Sequence, residues 1–190
     1  MSDLPLLGFA SREAWEAWLA SEHASSDGVW LRIARKGSTE ESVSKAEALE
    51  LALCYGWIDG QSRSLDTDFW LQKFTPRRAR SLWSKINRAK ATELIEQGRM
   101  QPAGVREVER AKADGRWDAA YDAPSSATVP EDLQRALDRN ETAQASFSGL
   151  DRQNRYAILH RIQTAKRPET RARRIAGFVA MLEEGKRLYT

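Results

Sequence analysis

Ser44-Lys45-Ala46-Glu47-Ala48-Leu49-Glu50-Leu51-Ala52-Leu53-Cys54-Tyr55-Gly56-Trp57-Ile58-Asp59-Gly60 decides the fold class, because one periodicity ends within it and another begins. Ser44 and Glu47 have capping-box spacing, in which the serine hydroxyl accepts from a helical N–H and the glutamate reaches back to the serine N–H. Ala48, Leu49, Ala52 and Leu53 continue an apolar helical face, and Gly56 suits a left-handed helix stop. Aromatic and β-compatible residues then take over. The segments 57–65 and 69–74, separated by Asp66-Thr67-Asp68, predict a hairpin directly after the helix.

On the N-terminal side, Val29, Leu31 and Ile33 alternate with Trp30, Arg32 and Ala34, which predicts a strand over 29–36. Ser11 is placed to cap a helix reaching Glu22, with Trp15, Trp18 and Leu19 on its inner side. Three strands with a helix on one face are about the minimum for an independently stable sheet. Pro76 is expected to end the sheet and open a turn of helix. Leu82, Ile86, Leu94 and Ile95 predict helical pieces over 81–97, stopped by Gly98, and a further helix runs over 102–114 to Gly115. Trp117 and Tyr121 then anchor a loop.

The run Tyr121-Asp122-Ala123-Pro124-Ser125-Ser126-Ala127-Thr128-Val129-Pro130 has the composition of a connector. Beyond it everything reads as helix: one with Pro130 at its first position and Leu133 and Leu137 inside, one around Phe147, one over 151–166, and a last from Pro168 with Ile175, Phe178, Val179 and Leu182 in a stripe. The expected fold class is α+β, mainly helical with a small antiparallel sheet, followed by a C-terminal helical bundle. The expected division is an α+β domain over 1–121 and a helical region over 122–190.

Composition narrows the chemistry. With 190 residues, ordinary apolar content and 30% charged residues, the chain has the makings of a buried core. One cysteine, Cys54, and two histidines, His23 and His160, argue against a disulfide framework or a transition-metal site, and no metal or cofactor is expected. No run approaches the roughly 20 apolar residues that a bilayer requires. The opening Met1-Ser2-Asp3-Leu4-Pro5-Leu6-Leu7-Gly8 does not read as a secretory signal, so a cytoplasmic location is expected. The net charge of +3 is small, but its distribution is uneven. Residues 72–99 and 152–174 are basic, whereas acids gather between Glu40 and Glu50.

Three constellations stand out. In Gly56-Trp57-Ile58-Asp59-Gly60, Asp59 either points into a cleft or caps a turn or ion pair. Thr75-Pro76-Arg77-Arg78, followed by Trp83, Lys85, Asn87 and Arg88, offers guanidinium forks for a phosphate or carboxylate and an indole for stacking on bases. The bland alternatives are that Trp83 is core and that the arginines meet the Glu40–Glu50 acids. In Glu169-Thr170-Arg171-Ala172-Arg173-Arg174, cations occupy a helix start whose dipole favours acids, so a protein carboxylate or an external anion must compensate Arg171 and Arg174. Cys54 and His160 read as packed residues. No nucleophile elbow, Walker or dinucleotide glycine loop, EF-hand or zinc-protease spacing is found. Catalytic residues therefore stay unassigned.

The run 48–60, then Phe74-Thr75-Pro76-Arg77-Arg78, Trp83-Ser84-Lys85-Ile86-Asn87, Gly98-Arg99-Met100-Gln101-Pro102-Ala103-Gly104 and Ala165-Lys166-Arg167-Pro168-Glu169-Thr170-Arg171-Ala172-Arg173-Arg174-Ile175 together resemble the YdeI/OmpD-associated, bacteriocin-protection family. The likeness extends from about Val29 onward. It implies a role in protection against bacteriocins and antimicrobial peptides and a protein partner, with no catalytic mechanism attached. The family is also described as periplasmic, from which this sequence departs. The expected function is a non-enzymatic protective or stress-associated protein with a basic-aromatic, anion-binding surface drawn from Trp57, Asp59, Arg77, Arg78, Trp83, Asn87, Arg171 and Arg174. Its partner would be an anionic small molecule or nucleic acid. A nucleic-acid-binding module, or an enzyme using Asp59 with arginines, is the alternative.

Overall fold

Capping and chain reversal place the first elements of the computed structural model, which describes residues 4–189. Ser11 accepts from the Ala14 N–H at the start of α1 (Arg12–Glu22), and Ser44 and Glu47 complete the capping box of α2 (Lys45–Cys54). Between the two helices runs β2 (Val29–Ala34), and α2 passes through Gly56, at φ +76°, into β3 (Trp57–Ser64) and β4 (Phe69–Pro76). Asp66 Oδ1 accepts from the N–H groups of Asp68 and Phe69 at 2.9 and 2.7 Å, which closes the hairpin. A short edge strand, β1 (Leu6–Gly8), adds to β2 in parallel and gives the order β1-β2-β4-β3. The expected antiparallel sheet is therefore mixed. Three residues cannot show alternation, so β1 exists only through its partner.

The chain divides into two compact units, one made of residues up to Trp83 with Asn87–Asp118, the other of Ser84–Ile86 with Ala119 onward. In the first, α1 and α2 cover one sheet face. Trp15 and Trp18 stack at 5.3 Å, Trp18 meets Trp57 edge-on at 5.7 Å, and Trp15 lies 5.8 Å from Phe74. The Trp15 indole N–H donates to the Ala48 carbonyl and that of Trp57 to the His23 carbonyl, so neither buried donor is left unmet. Each fully buried side chain of this size contributes about 2–3 kcal/mol. Pro76 ends β4, but no turn of helix follows it, and the next helix, α3 (Lys85–Glu96), starts later than its apolar spacing suggests. The last helix of this unit is α4 (Pro102–Ala113).

Glu50 of α2 holds this unit's helices together by charge. It accepts from Lys90 and Arg99 at 3.0 Å each and from Arg12 at 3.4 Å. Lys90 and Arg99 of the basic run over 72–99 thus answer an internal acid. Burial pushes the Glu50 carboxyl up, but hydrogen bonds from Lys90 and Arg99 outweigh it, and the group lies below its usual range. A carboxyl lowered in the folded state contributes stability above its unfolded pKa, and that contribution fades as pH falls through the folded value. Glu50→Gln is accordingly expected to lower stability by about 2 kcal/mol at neutral pH. In urea titrations the gap between variant and wild type should narrow as pH falls through the acidic range. A gap that stays constant with pH would contradict the ionic role.

The second unit contains α5 (Glu131–Leu137), α6 (Glu141–Ser148), α7 (Arg152–Gln163) and α8 (Pro168–Glu183), with α8 packed on the other three. Pro130 is the N-cap of α5 rather than its first helical residue. Leu133, Leu137, Phe147, Ile158, Ile162 and Leu182 form its core. Asn154, 2% exposed, ties the C-terminal segment to α7: its Oδ1 accepts from the Leu188 and Tyr189 N–H groups and its Nδ2 donates to the Tyr189 carbonyl and to Asp151.

Candidate functional site

The sheet's second face and the end of β4 carry several of the exposed basic residues of the first unit, among them Arg32, Arg63 and Arg78. Strand partners point to the same side of a sheet and successive residues alternate. Trp30 and Arg32 of β2 therefore share the face opposite the helices with Leu71, Lys73 and Thr75 of β4. Where β4 runs out, Leu4, Asp27, Lys73, Thr75, Pro76, Arg77 and Arg78 line a hollow of about 440 Å³. Gly28 lets the chain pass close by. With φ at +140°, it brings its backbone so near that a Cβ would sit 2.7 Å from the Phe74 carbonyl oxygen and from the Thr75 methyl group.

Arg77 and Arg78, adjacent in sequence, are held differently. The Arg77 N–H donates to the Gly56 carbonyl at 2.9 Å, its guanidinium lies 3.5 Å over the Trp83 ring, and the residue is 6% exposed. Trp83 in turn meets Trp117 edge-on at 4.9 Å. Arg78 is exposed, at the head of a turn in which its N–H donates to Ser81 Oγ and its carbonyl accepts from the Ser81 N–H. Buried Arg116 fixes that turn by donating to the Ser81 carbonyl at 2.7 Å. Chemically, the hollow is lined by three basic residues, Lys73, Arg77 and Arg78, against one carboxylate, Asp27. Such a setting suits an anion bound by charge-assisted hydrogen bonds.

The sequence-predicted site residues separate into groups. Trp57, Arg77 and Trp83 come together, through the Trp57–Pro76 register and the Arg77 stack, but both indoles are buried and neither offers a face to a base. Asp59 stands opposite Phe74 on the helix-covered side, half-buried. Asn87 is 9% exposed in α3. Arg171 and Arg174 belong to the other unit and answer the question raised by cations at a helix start. Arg171 makes a bidentate pair with Asp132 at 2.6 and 2.9 Å and donates to the Ile162 carbonyl, while Arg174 donates to the Arg161 carbonyl. The two guanidiniums thus occupy the negative C-terminal end of α7, which more than offsets their awkward place at the start of α8. The Arg171 hydrogen bonds hold the Asp132 carboxyl below its usual range despite partial burial. Between α5 and α8 lies a larger, mainly apolar hollow of about 670 Å³, but its arginine at this end is already matched by Asp132.

Comparison with known proteins gives matches to two separate stretches of the chain. Residues 7–107 match the model of a domain of unknown function (DUF8412), more than half of the 190 residues. Residues 126–185 match the model described as bacteriocin-protection, YdeI or OmpD-associated. The resemblance drawn from 165–175 is borne out there. The blocks at 48–60, 74–78, 83–87 and 98–104 fall instead within the first match, so the likeness is shorter than the sequence suggested. No curated protein and no solved structure matches the chain significantly. The chain belongs to the family of the DUF8412 domain, whose model covers more than half of it, and its residues 126–185 are similar to the bacteriocin-protection, YdeI or OmpD-associated family.

Proposed function

We propose that this chain is a non-enzymatic protein of the bacteriocin-protection kind that works by binding a small anion in the hollow at the end of β4. The observation that carries this reading is the gathering of Lys73, Arg77 and Arg78 around about 440 Å³ of space with Asp27 as the facing acid. The Arg77 guanidinium is pinned on Trp83 and supports the wall, while exposed Arg78 is the donor that reaches the ligand. The family description of residues 126–185 supports the protective role, and the absence of any reaction-specific motif favours binding over turnover.

Inorganic phosphate is the direct probe. Calorimetric titration of the full chain should give saturable binding, and Arg78→Gln should weaken it by about tenfold, the loss of one charge-assisted bidentate contact. Because Arg78 is exposed, its thermal melt should stay at the wild-type value. Absence of saturable phosphate binding to the wild type, or an unchanged affinity in the variant, would sink the proposal.

A further inference from the structure

The open face of the sheet carries a second surface. α1 and α2 cover the opposite face, while α3 and α4 are held on α2, α3 through Lys90 to Glu50 and α4 through the approach of Gly104 to the Cys54 carbonyl. What lies on the open face is side chain. Arg63 reaches from β3 across β4 to place its guanidinium 4.2 Å over the Trp30 ring, and Arg32 places its own 4.2 Å over Phe69. Leu71, the register partner of both arginines, is 1% exposed between them. Lys73 stands 5.9 Å from the same Trp30 ring. Arg32 and Arg63 are exposed, and no ion pair to either arginine or to Lys73 forms among the described residues. None of the strand residues that share this face is acidic.

A bulge creates the arrangement. Asp59 faces Phe74 on the helix-covered side, and regular alternation would send residue 63 to that same side. The register shifts between Asp59 and Ser62, so Ser62 pairs with Gln72 and Arg63 with Leu71 on the open face. Buried Gln72 holds the bulge, donating to the Gly60 carbonyl at 2.9 Å and the Gln61 carbonyl at 3.2 Å. The bulge thus swaps a helix-side position for a basic open-face one.

From this we propose that the open face binds single-stranded nucleic acid without sequence preference. Arg63 over Trp30 and Arg32 over Phe69 are two exposed cation–π pairs, each offering a guanidinium on which a base can stack, with Lys73 beside Trp30 to meet a phosphate. An acidic peptide would use the charge but leave both cation–π pairs idle. A duplex would keep its bases out of reach. The proposal goes beyond anion binding at the hollow and shares only Lys73 with it, so phosphate titration of Arg78→Gln and the test below fail independently.

The probe is a fluorescein-labelled oligothymidylate of about twelve nucleotides, followed by anisotropy over a salt series. The wild type should bind with log K falling as salt rises. The Arg32→Gln/Arg63→Gln double variant should bind at least about tenfold more weakly, because it loses both stacking planes and two positive charges beside the phosphate backbone. Trp30→Leu should also weaken binding while leaving most of the slope, because it removes a stacking base and no charge. Since Arg32 and Arg63 are exposed, the double variant should melt as the wild type does, and Gln72→Leu, which frees the bulge, should reproduce the binding loss. Equal affinity in the double variant would overturn the proposal. So would equal binding of a duplex of the same length, or displacement of the oligonucleotide by polyglutamate at matched charge, which would assign the face to an acidic protein.

Discussion

Gly104→Ala is expected to destabilise the sheet-bearing unit by about 3 kcal/mol, the high end of what overpacking costs. A Cβ at this position would sit 2.3 Å from the Cys54 carbonyl oxygen and 2.7 Å from that of Leu53, both backbone atoms that cannot turn aside. Alanine is the better helix former by about 1 kcal/mol, so the packing effect must exceed that gain to show as a net loss. The distances say that it does, since α4 would have to lift off the end of α2. Gly177 of α8 provides the opposite case. It lies mid-helix with nothing within 4 Å of the added atom, and Gly177→Ala should stabilise the helical unit by about 1 kcal/mol. Urea midpoints of the two variants should move in opposite directions. A Gly104→Ala midpoint equal to the wild type would show that α2 and α4 do not approach this closely.

The second large effect belongs to Asn154. Asn154→Ala removes two donors and two acceptor contacts at a site 2% exposed, and leaves the Leu188 and Tyr189 N–H groups without their acceptor. The expected loss is about 3 kcal/mol, because unmet groups in a shielded setting cost more than an average hydrogen bond is worth. Amide hydrogen exchange distinguishes the mechanism. The Leu188 and Tyr189 amides should lose their protection in the variant, since the C-terminal segment is released before the four helices separate. Retained protection at both amides would contradict the clamp.

Legibility followed the range of the interactions. The capping box at Ser44, the stop at Gly56 and the Asp66 turn were readable because each is decided within a few residues by local hydrogen bonds. β1 was not, because Leu6-Leu7-Gly8 takes its strand geometry from a partner distant in sequence. The late start of α3 was missed because Leu82 and Ile86 fit helical spacing although Trp83 is engaged with Arg77 and Trp117. At the site, the Thr75-Pro76-Arg77-Arg78 block was visible as chemistry, but sequence could not tell that Arg77 stacks inward and Arg78 outward. The Arg63–Trp30 stack was invisible for a sharper reason. Its existence depends on one inserted residue in β3, and a one-residue shift sends every later side chain to the other face. Arg171 and Arg174 were recognised as needing a negative partner; that the partner would be Asp132 and the end of α7 is a property of the packed helices.

Amide chemical-shift mapping by NMR during a phosphate titration tests anion binding at the end of β4 most directly. Saturable shifts concentrated at Asp27, Gly28, Thr75, Arg77 and Arg78, and lost in Arg78→Gln, are the predicted result. Shifts spread evenly over the arginines of both units, or gathered at Arg171 and Arg174 instead, would contradict it.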